Sequence, residues 1–410
     1  MMSDKFPASL VDARSRLSPA VRLAHGADSK RLDGASTALS PYLTHGLLSV
    51  PEVAASAAGP ARQAGAGLLR QLGRREHFQH IWRHLGDAIL RPLQPGARPP
   101  ADYGRALPDD IRQARCGVPA IDSAVRQLYA QGWLHQHARL WLASYVVHVR
   151  GVHWRSGADW LLGHLLDGDL ASNHLSWQCV AGTGGTRPWL FNAELVAAVA
   201  AGQPGWASRG SLIDTGYDTL AQWAFGPGPW PAPTPGPAPV AGGRAAAGLA
   251  EPPLRRSPPA DLPGALLAPG PLALAGRHVW LVHPWALGDP PAGLPTGLPG
   301  DGPWRLGVWP AEHFACWAWS AARWHFVAQR LAQLTDSVVW ADTARLRQLL
   351  APAASVACLD NGHLPAAWPA AWRQPAPRLL ADPDQLCTAF SQFSRLARRG
   401  APAGGPGPGD

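Results

Sequence analysis

Five polar side chains interrupt otherwise apolar helical sequence in the second hundred residues of the chain: Gln136, Arg139, Asp167, Asp169 and Asn173. Gln136 and Arg139 are three residues apart, so on a helix they share one face. The two aspartates and the asparagine fall at a turn and in the first turns of the next helix. Buried charges persist only when they are paired or bound to a ligand. The pattern therefore predicts that something polar is bound between two helical segments.

The helices that must position these residues are marked by apolar spacing and by start and stop signals. One helix is predicted to begin at Pro119 and to end at Gly132, because proline suits a first turn and glycine a stop. The next is predicted from Trp133, with its two polar residues facing inward. Ser156 and Asp159 resemble a capping box at the start of a third helix, which leads towards the aspartates.

Residues 66–91 predict a long amphipathic helix, because apolar residues recur along them at helical spacing. The stripe that faces the core is expected to be Leu69, Leu72, Phe78, Ile81 and Leu85. The solvent side is expected to carry Arg70, Arg74 and Arg75. Three histidines also fall at helical spacing: His77, His80 and His84. They lack convincing acidic or cysteine partners, so we interpret them as core or solvated side chains and not as metal ligands.

Five sequence blocks carry a more specific signal when they are taken in order. They are S-T-A-L-S-P-Y-L-T-H-G-L-L-S (36–49), H-I-W-R (80–83), G-V-P-A-I-D-S-A-V-R-Q-L (117–128), G-W-L-H-Q-H-A-R (132–139) and L-L-D-G-D-L-A-S-N-H-L-S-W (165–177). Any one alone is weak, but the set resembles the FAD-binding domain of the DNA photolyase/cryptochrome family. The resemblance implies a mainly α fold with a photolyase-type helical domain, and FAD as the cofactor.

By this resemblance, nine residues bind FAD. The phosphates would be contacted by Ser36, Thr37, Leu39 and Ser40, and the flavin flanked by Gln136, Arg139, Asp167, Asp169 and Asn173. Arg139 would pair with Asp167, and Asp169 would hold the polar edge of the flavin. Asn173 would face flavin N5 with an amide, which donates hydrogen bonds without supplying an acid. The alternatives are ordinary helix caps at 36–40 and a buried salt bridge with an amide cap.

The substrate side departs further from the family pattern. By resemblance, Gln79, Trp82 and Arg83 bind the DNA lesion, and Trp82 retains the indole that lines the lesion pocket. Gln79, however, stands where repair enzymes have a glutamate. Glu76 replaces a tryptophan often found in this helix, and Ala38 stands where an arginine is usual. The flavin site is therefore expected to be better kept than the lesion site.

An electron relay is also implied by the resemblance. Trp177 and Trp154 match its first two members, although packing is the default role in a chain with 20 tryptophans. No tryptophan lies between Leu93 and Gly132, where the third member usually occurs, and Tyr103 is a candidate substitute. Together with Asn173 and Trp82, the two relay tryptophans are the residues expected to take part in the chemistry.

The composition indicates which partners, metal sites and cellular compartment to expect. The net charge of +8 suits an anionic partner such as damaged DNA, although the near absence of lysine also points to a coding bias towards arginine. Five scattered cysteines without a C-x-x-C motif argue against disulfides, a zinc site and an iron–sulfur cluster. Because the sequence shows no signal peptide and no apolar run of membrane-spanning length, we expect a cytoplasmic protein without a membrane partner.

Four segments are predicted along the chain: a helical FAD-binding domain at 1–223, a Pro/Gly/Ala-rich linker at 224–275, an α/β domain at 276–399 and a disordered tail at 400–410. The linker could instead be a coil docked over the first domain. Strands are predicted at 278–283, 305–309, 354–359 and 377–381, and helices at 319–334, 341–351 and 384–398. Photolyases normally carry an α/β antenna domain before the FAD domain, so this arrangement is interpreted as a permuted order.

The expected function is FAD-dependent repair of DNA driven by blue light, in which reduced flavin passes an electron to a pyrimidine dimer. The alternative is a cryptochrome-like photoreceptor or signalling flavoprotein without repair activity, and a third possibility is a structural flavoprotein. Asn173, Trp82 and the basic charge favour repair, whereas Gln79 and Ala38 favour the photoreceptor. The sequence leaves the lesion type and any antenna pigment open.

Overall fold

The fold is a helical domain followed by a smaller α/β domain, as the sequence predicts. The computed structural model describes residues 5–18, 31–32, 36–57, 62–185, 187–232, 248–262, 272–291 and 303–399. The helical domain contains α1 (Leu10–Ser15), α2 (Ser40–Thr44), α3 (Val50–Ala57), α4 (Arg62–Leu85), α5 (Asp109–Arg112), α6 (Pro119–Gln131), α7 (Gln136–Ser144), α8 (Trp154–His164), α9 (Leu170–Ala181), α10 (Ala193–Val199) and α11 (Tyr217–Phe225). No described helix is both long and apolar enough to cross a membrane.

Helices α6 to α9 form the scaffold of the helical domain. Helix α6 begins at Pro119 and ends at Gly132, whose φ of 62° is a left-handed conformation that glycine adopts without strain. A π-helical turn, Tyr145–Val149, extends α7 and is buried throughout. These elements share one apolar core, in which Trp141, Leu142 and Ala158 are fully buried. These helices therefore carry their polar side chains on a buried apolar support.

The elements of the α/β domain are β2 (His278–Val282), β3 (Trp304–Pro310), α12 (Ala311–Cys316), α13 (Ala321–Leu334), β5 (Ser337–Ala341), α14 (Thr343–Leu350), β6 (Ser355–Leu359) and β7 (Arg373–Gln374), and α15 (Phe390–Arg399) follows. The five strands form one parallel sheet with the order β5-β3-β2-β6-β7. A separate two-stranded ladder joins β1 (Leu254–Arg255) to β4 (Trp319–Ser320). The central strand β2 is almost wholly buried, as is usual for parallel sheets.

Three sequence expectations about local structure are wrong. The fifth strand is Arg373–Gln374 and not 377–381, because the backbone N–H groups of Leu379 and Leu380 donate to the Glu76 carboxylate on α4. Ser156 and Asp159 do not form a capping box, since α8 begins earlier, at Trp154, with His153 as its cap.

The third correction concerns the exposed side of α4. Arg75 is mostly buried and lies 3.9 Å from Asp169, whereas a solvent position was expected for it. Arg70 and Arg74 are exposed, as predicted. His77 and His80 are buried and bond to the backbone oxygen of Cys387 and to Asp382. The core stripe agrees with the expectation at Leu69, Leu72 and Ile81, which are buried.

The region between the domains is partly described. Positions 233–247 and 263–271 of the expected linker, and the expected tail at 400–410, lie outside the described residues. Residues 248–262 dock onto the helical domain through Glu251, which bonds to Arg112, Trp160 and His164. This fits the docked coil that the sequence left as an alternative. Because α11 runs to Phe225, we propose that the helical domain extends at least that far.

The two domains share one hydrophobic cluster. Tyr42 of α2 lies 6.1 Å from the ring of Phe326 of α13, and Trp285, after β2, belongs to the same cluster. His45 joins the domains as well, since its ring nitrogens lie 2.6 Å from the carbonyl oxygen of Pro284 and 2.9 Å from that of Leu166. The α/β domain is therefore packed against the part of the helical domain that carries the polar side chains.

Candidate functional site

Helix α7 carries Gln136 and Arg139 in its first turn. The helix starts three residues later than expected, because His135 has an extended backbone and its ring Nδ1 accepts the N–H of His137. The Arg139 guanidinium donates to Asp167 Oδ2 at 2.7 Å and to the carbonyl oxygen of Leu134 at 3.0 Å. The ion pair expected from the sequence is present, and the second bond fixes the orientation of the guanidinium.

Asp167 and Asp169 lie on the tight turn between α8 and α9. Gly168 separates them, and a Cβ there would come within 2.5 Å of the carbonyl oxygen of Leu162. Asp169 is the cap of α9, because its carboxylate accepts the N–H of Ser172 at 2.8 Å. The turn therefore orients two buried carboxylates, one on either side of a glycine that no larger residue could replace without displacing its neighbours.

Asp169 is surrounded by hydrogen-bond donors. The Gln79 amide donates to both of its oxygens, at 3.0 and 2.9 Å, and the His363 ring lies 3.3 Å from Oδ2. Burial alone would raise the pKa of Asp169, but the Arg75 guanidinium and the hydrogen bonds from His363 and Ser172 lower it well below its ordinary value. Asp169 is therefore a carboxylate at any physiological pH.

Two cavities meet at these residues. The first lies between α7 and α9 and has a volume of about 90 Å³, and the second lies between α7 and residues 36–43 and has a volume of about 260 Å³. Both have Gln136, Arg139, Asp167 and Ser172 in their walls. The polar residues found from the sequence therefore line two cavities that share one wall.

Two polar atoms in this shared wall lack a partner. Asp167 Oδ1 and Ser172 Oγ are buried and have no hydrogen-bond partner among the described residues. An unsatisfied buried carboxylate oxygen costs about 1–3 kcal/mol or more, so it marks a place where a ligand donates. A cofactor with N–H or O–H groups and acceptor atoms fits this wall.

Residues 36–40 line the second cavity. Their chain passes through Ala38, whose φ of 46° is left-handed and strained for a residue other than glycine. Ser36 Oγ accepts the N–H of Ala38, and Ser40 Oγ accepts the indole N–H of Trp133. Neither hydroxyl caps α2, whose preceding residue, Leu39, makes no side-chain cap bond. Thr37 and Leu39 are buried in the same wall.

Asn173 and Trp177 lie in the wall of the first cavity, one turn apart on α9. The Asn173 amide donates to the carbonyl oxygen of Ala158 at 2.8 Å, which holds it at the junction of α8 and α9. Trp177 packs directly on Gly157, where a Cβ would lie 2.3 Å from the indole. Gly157 therefore allows the indole to lie against α8 beside the cavity.

Trp154 lies in the wall of a third cavity, of about 440 Å³, together with Tyr103. The His153 ring stands between them, 5.7 Å from Trp154 and 6.3 Å from Tyr103. Tyr103 also contacts Trp230, with ring centroids 5.5 Å apart. The structure thus brings Tyr103 near Trp154 but leaves an imidazole between the two rings.

The residues expected to bind a lesion have partners within the protein. Gln79 donates to Asp169, Arg83 bonds to Asp382 at 2.7 Å, and Trp82 is buried against His363 and Gly362. None of the three is in the walls of the two cavities that meet at Arg139. The structure therefore does not gather them into an open surface. The described residues also contain no group of three or more metal-ligating side chains placed around one point.

The sequence reasoning missed the contribution of the α/β domain. Arg323 on α13 donates to the carbonyl oxygen of Gly168 at 2.6 Å, and His363, after β6, bonds to Asp169. Two signals were available. Arg323 is a cation within an apolar helix, and His363 follows the parallel strand β6 at its carboxyl end, where α/β domains collect functional groups.

Comparison with known proteins agrees with this geometry. Residues 68–203 match the family described as the FAD binding domain of DNA photolyase. The chain is 37% identical over 158 residues to the deoxyribodipyrimidine photo-lyase of Streptomyces griseus, covering 38% of this chain and 34% of the relative. It is 33% identical over 182 residues to Cryptochrome-1 of Arabidopsis thaliana, covering 39% of this chain and 26% of that relative.

A bacterial class III photolyase from Agrobacterium tumefaciens is similar in structure, with a TM-score of 0.42 and 22% identity over 48% of this chain and 44% of that one. The chain spans about a third or less of the length of the two curated relatives. Both relatives match this chain over little more than a third of its length.

Proposed function

We propose that the two cavities meeting at Arg139 hold FAD in a flavoprotein driven by blue light, because residues 68–203 match the family described as the FAD binding domain of DNA photolyase. The observation that carries the proposal is that Asp167 Oδ1 and Ser172 Oγ, both from residues in the wall that the two cavities share, are buried and have no partner among the described residues.

The residues present fit the cofactor. Gln136, Arg139 and Asp167 stand in the wall that both cavities share, so they would lie between the flavin and the phosphate end. Asp169 and Asn173 would border the flavin, and residues 36–40 would border the phosphates. One charged contact of the family is missing here, because Ala38 takes the place of an arginine.

The side chains that line the cavity would provide a fixed electrostatic environment for electron transfer to and from the flavin. When bound, FAD supplies a ring that absorbs blue light and exchanges single electrons. Arg139 neutralises Asp167, so the pair brings no net charge to the ring. Asn173 offers an amide rather than an acid, and Trp177 would place an oxidisable indole in the same wall. Apolar neighbours such as Leu161 and Leu165 would exclude water.

The first candidate for the electron acceptor is a pyrimidine dimer in DNA. The supporting observations are the relatives that are named deoxyribodipyrimidine photo-lyase and the net charge of +8. In this reaction, the dimer accepts one electron, its cyclobutane ring opens, and the electron returns. Gln79, Trp82 and Arg83 would reach the lesion only if the contacts that now engage them were released.

The second candidate is a photoreceptor without repair activity, and one specific observation favours it. The face of α4 that would meet DNA is covered by residues of the α/β domain and by the segment after β7, through His363, Asp382 and Cys387. In a photoreceptor, a change in flavin charge would act on this covered face instead of on a nucleic acid.

Two measurements test these proposals in turn. Purified protein should be yellow and should release about one FAD per chain on denaturation, and protein that is colourless and takes up no added FAD would overturn the assignment of the site. Chemically reduced protein should then be illuminated with oligonucleotides that contain pyrimidine dimers. Repair above that of a dark control supports the first candidate, whereas a flavin-loaded protein that repairs nothing under saturating blue light supports the second.

A further inference from the structure

The carboxyl edge of the parallel sheet is packed against the flavin side of the helical domain. The strand order reverses between β2 and β6, and in open α/β sheets this switch point is where ligands bind. Here, the chain leaving β2 supplies Trp285, and the chain leaving β6 supplies His363. Their rings are stacked, 4.7 Å apart and 5° from parallel. The usual ligand position of the sheet is thus filled by two of its own side chains.

His363 connects this edge to the turn at Asp169. The side chain is buried, between the stacked Trp285 and the edge of Trp82, whose centroid is 4.9 Å away. Since a carboxylate only accepts, the ring must carry its proton on Nε2 and donate to Asp169 Oδ2. Burial lowers the pKa of His363, so the ring is neutral at physiological pH. It therefore orients Asp169 without adding charge.

Arg323 reaches the same turn from α13. It is almost completely buried, lies over the Trp319 ring at 3.9 Å, and donates to the carbonyl oxygen of Gly168. Burial lowers the pKa of Arg323 to about 9, against the opposing pull of Asp167 and Asp169, so it is a cation at neutral pH. Buried cations are stable only beside compensating groups. Here, the compensating groups are the two carboxylates of the flavin cavity.

We propose that the α/β domain completes the flavin site, with Arg323 and His363 as positioning residues that hold the turn 167–169 and balance its two carboxylates. The inference rests on the assignment of the cavities to FAD and goes beyond it, because it makes the second domain part of the cofactor site. The charges support it. Arg139 balances Asp167 at 2.7 Å, whereas the nearest arginine to Asp169 within the helical domain, Arg75, lies 3.9 Å away and is partly exposed.

The test compares two buried arginines of α13 in the full-length protein. Arg323→Met removes the cation at the turn, whereas Arg330→Met removes one that bonds to the carbonyl oxygen of Leu287 within the α/β domain. We expect Arg323→Met to hold FAD at least about tenfold more weakly, in equilibrium dialysis, than Arg330→Met. Its bound FAD should also have a more negative midpoint potential, because a cation favours the more negative, reduced form. Arg323→Lys should recover part of both properties.

A second pair of variants keeps the inference testable if Arg323→Met does not fold. His363→Gln retains an N–H donor for Asp169, whereas His363→Leu removes it. We expect His363→Gln to keep the flavin absorption bands and midpoint potential of the wild type, and His363→Leu to shift both.

The outcomes distinguish the assignment of the cavities to FAD from the inference that the α/β domain completes the site. If the wild type binds no FAD, the assignment of the cavities fails and this inference fails with it. If the wild type binds FAD and the affinity and potential in Arg323→Met equal those of Arg330→Met, only the inference is overturned. Equal spectra and potentials in the two His363 variants would overturn it as well. A thermal melt of each variant distinguishes a lost fold from a lost cofactor.

Discussion

The cavity wall around Asp167 and the covered face of α4 both consist of buried polar side chains on helices, but their bonding differs. In the cavity wall, Asp167 Oδ1 and Ser172 Oγ have no partner among the described residues. On α4, Glu76 accepts two backbone N–H groups, and His80 bonds to Asp382. An unsatisfied group beside a cavity is available to a ligand, whereas a group bonded within the protein is already engaged.

This contrast explains why the resemblance to the photolyase/cryptochrome family describes the flavin site better than the lesion site. The same five blocks implied a flavin site and a lesion site, yet open space and unpaired oxygens occur only at the first of these in the described structure. The residues of α4 that would contact DNA instead contact the α/β domain and the segment after β7. The four predictions below test whether the two surfaces behave as ligand site and internal interface.

The largest effect is expected from Arg139→Met, which leaves Asp167 without its ion pair. Breaking a fully buried pair costs about 3–5 kcal/mol, and the partial exposure of Arg139 reduces this to about 2–3 kcal/mol. FAD affinity, measured by equilibrium dialysis, should fall by about 30- to 160-fold. The control is Arg150→Met, which breaks the pair with Asp110 outside the two cavities. It should lower the melting temperature and leave FAD binding unchanged, and equal affinities in the two variants would contradict the assignment.

Asp382 gives the covered face a pH dependence. Burial would raise its pKa, but bonds from Arg83 and His80 lower it to about 2. A lowered carboxyl pKa stabilises the fold above the ordinary value of 3.8, and this stability is lost as the pH falls through about 2. Between pH 4 and 2, the wild type should therefore lose about 1–2 kcal/mol more unfolding free energy than Asp382→Asn, after allowance for partial exposure.

Denaturant titrations at several pH values measure this difference, with Asp261→Asn as the control, because Asp261 is 70% exposed in its pair with His325. FAD content at neutral pH should be the same in all three proteins. If Asp382→Asn lost FAD while keeping its stability, the covered face would belong to the ligand site after all.

A smaller and more diagnostic effect is expected from two serines. Ser172 Oγ has no partner, so Ser172→Ala should leave the stability of the FAD-free protein unchanged and weaken FAD binding by about 1 kcal/mol. Ser144 Oγ donates to the carbonyl oxygen of Trp189 at 2.8 Å, so Ser144→Ala should do the reverse. Thermal melts and dialysis on both variants check the pattern. The same response from both serines would remove the distinction between open and satisfied groups.

The smallest effect concerns the strained residue in the phosphate segment. Ala38 has a left-handed backbone, which costs roughly 1 kcal/mol for a residue with a Cβ. Ala38→Gly should therefore raise the unfolding free energy by up to about 1 kcal/mol, as measured by denaturant titration. A loss of stability would show that the Ala38 methyl group, which is buried, contributes more by packing than the conformation costs.

Much of the helical domain was predictable from local pattern. Helix α6 follows from Pro119 and Gly132, and the apolar stripe of α4 from its spacing. The partnership of Arg139 with Asp167 followed from the resemblance, because both residues stand in matched blocks. Boundaries were less accurate where a side chain takes over capping, as His153 does ahead of α8.

What the sequence did not reveal is the meeting of distant segments. Glu76 looked like a substitution for a family tryptophan, but its carboxylate binds the backbone more than 300 positions away, at Leu379 and Leu380. Periodicity also predicted a strand there, since it cannot detect a side chain that takes the backbone bonds. Local signals marked Arg323 and His363, but not their partners on the turn 167–169, which lie 155 and 194 positions away.

The single apolar cluster that joins Tyr42, Trp285 and Phe326 also determines how the chain melts. Because residues of both domains form that cluster, the unfolding of one domain would expose aromatic rings of the other to water. A calorimeter should therefore record one endotherm rather than two. A protease cut in the connecting segment would leave two pieces that stay associated until both unfold.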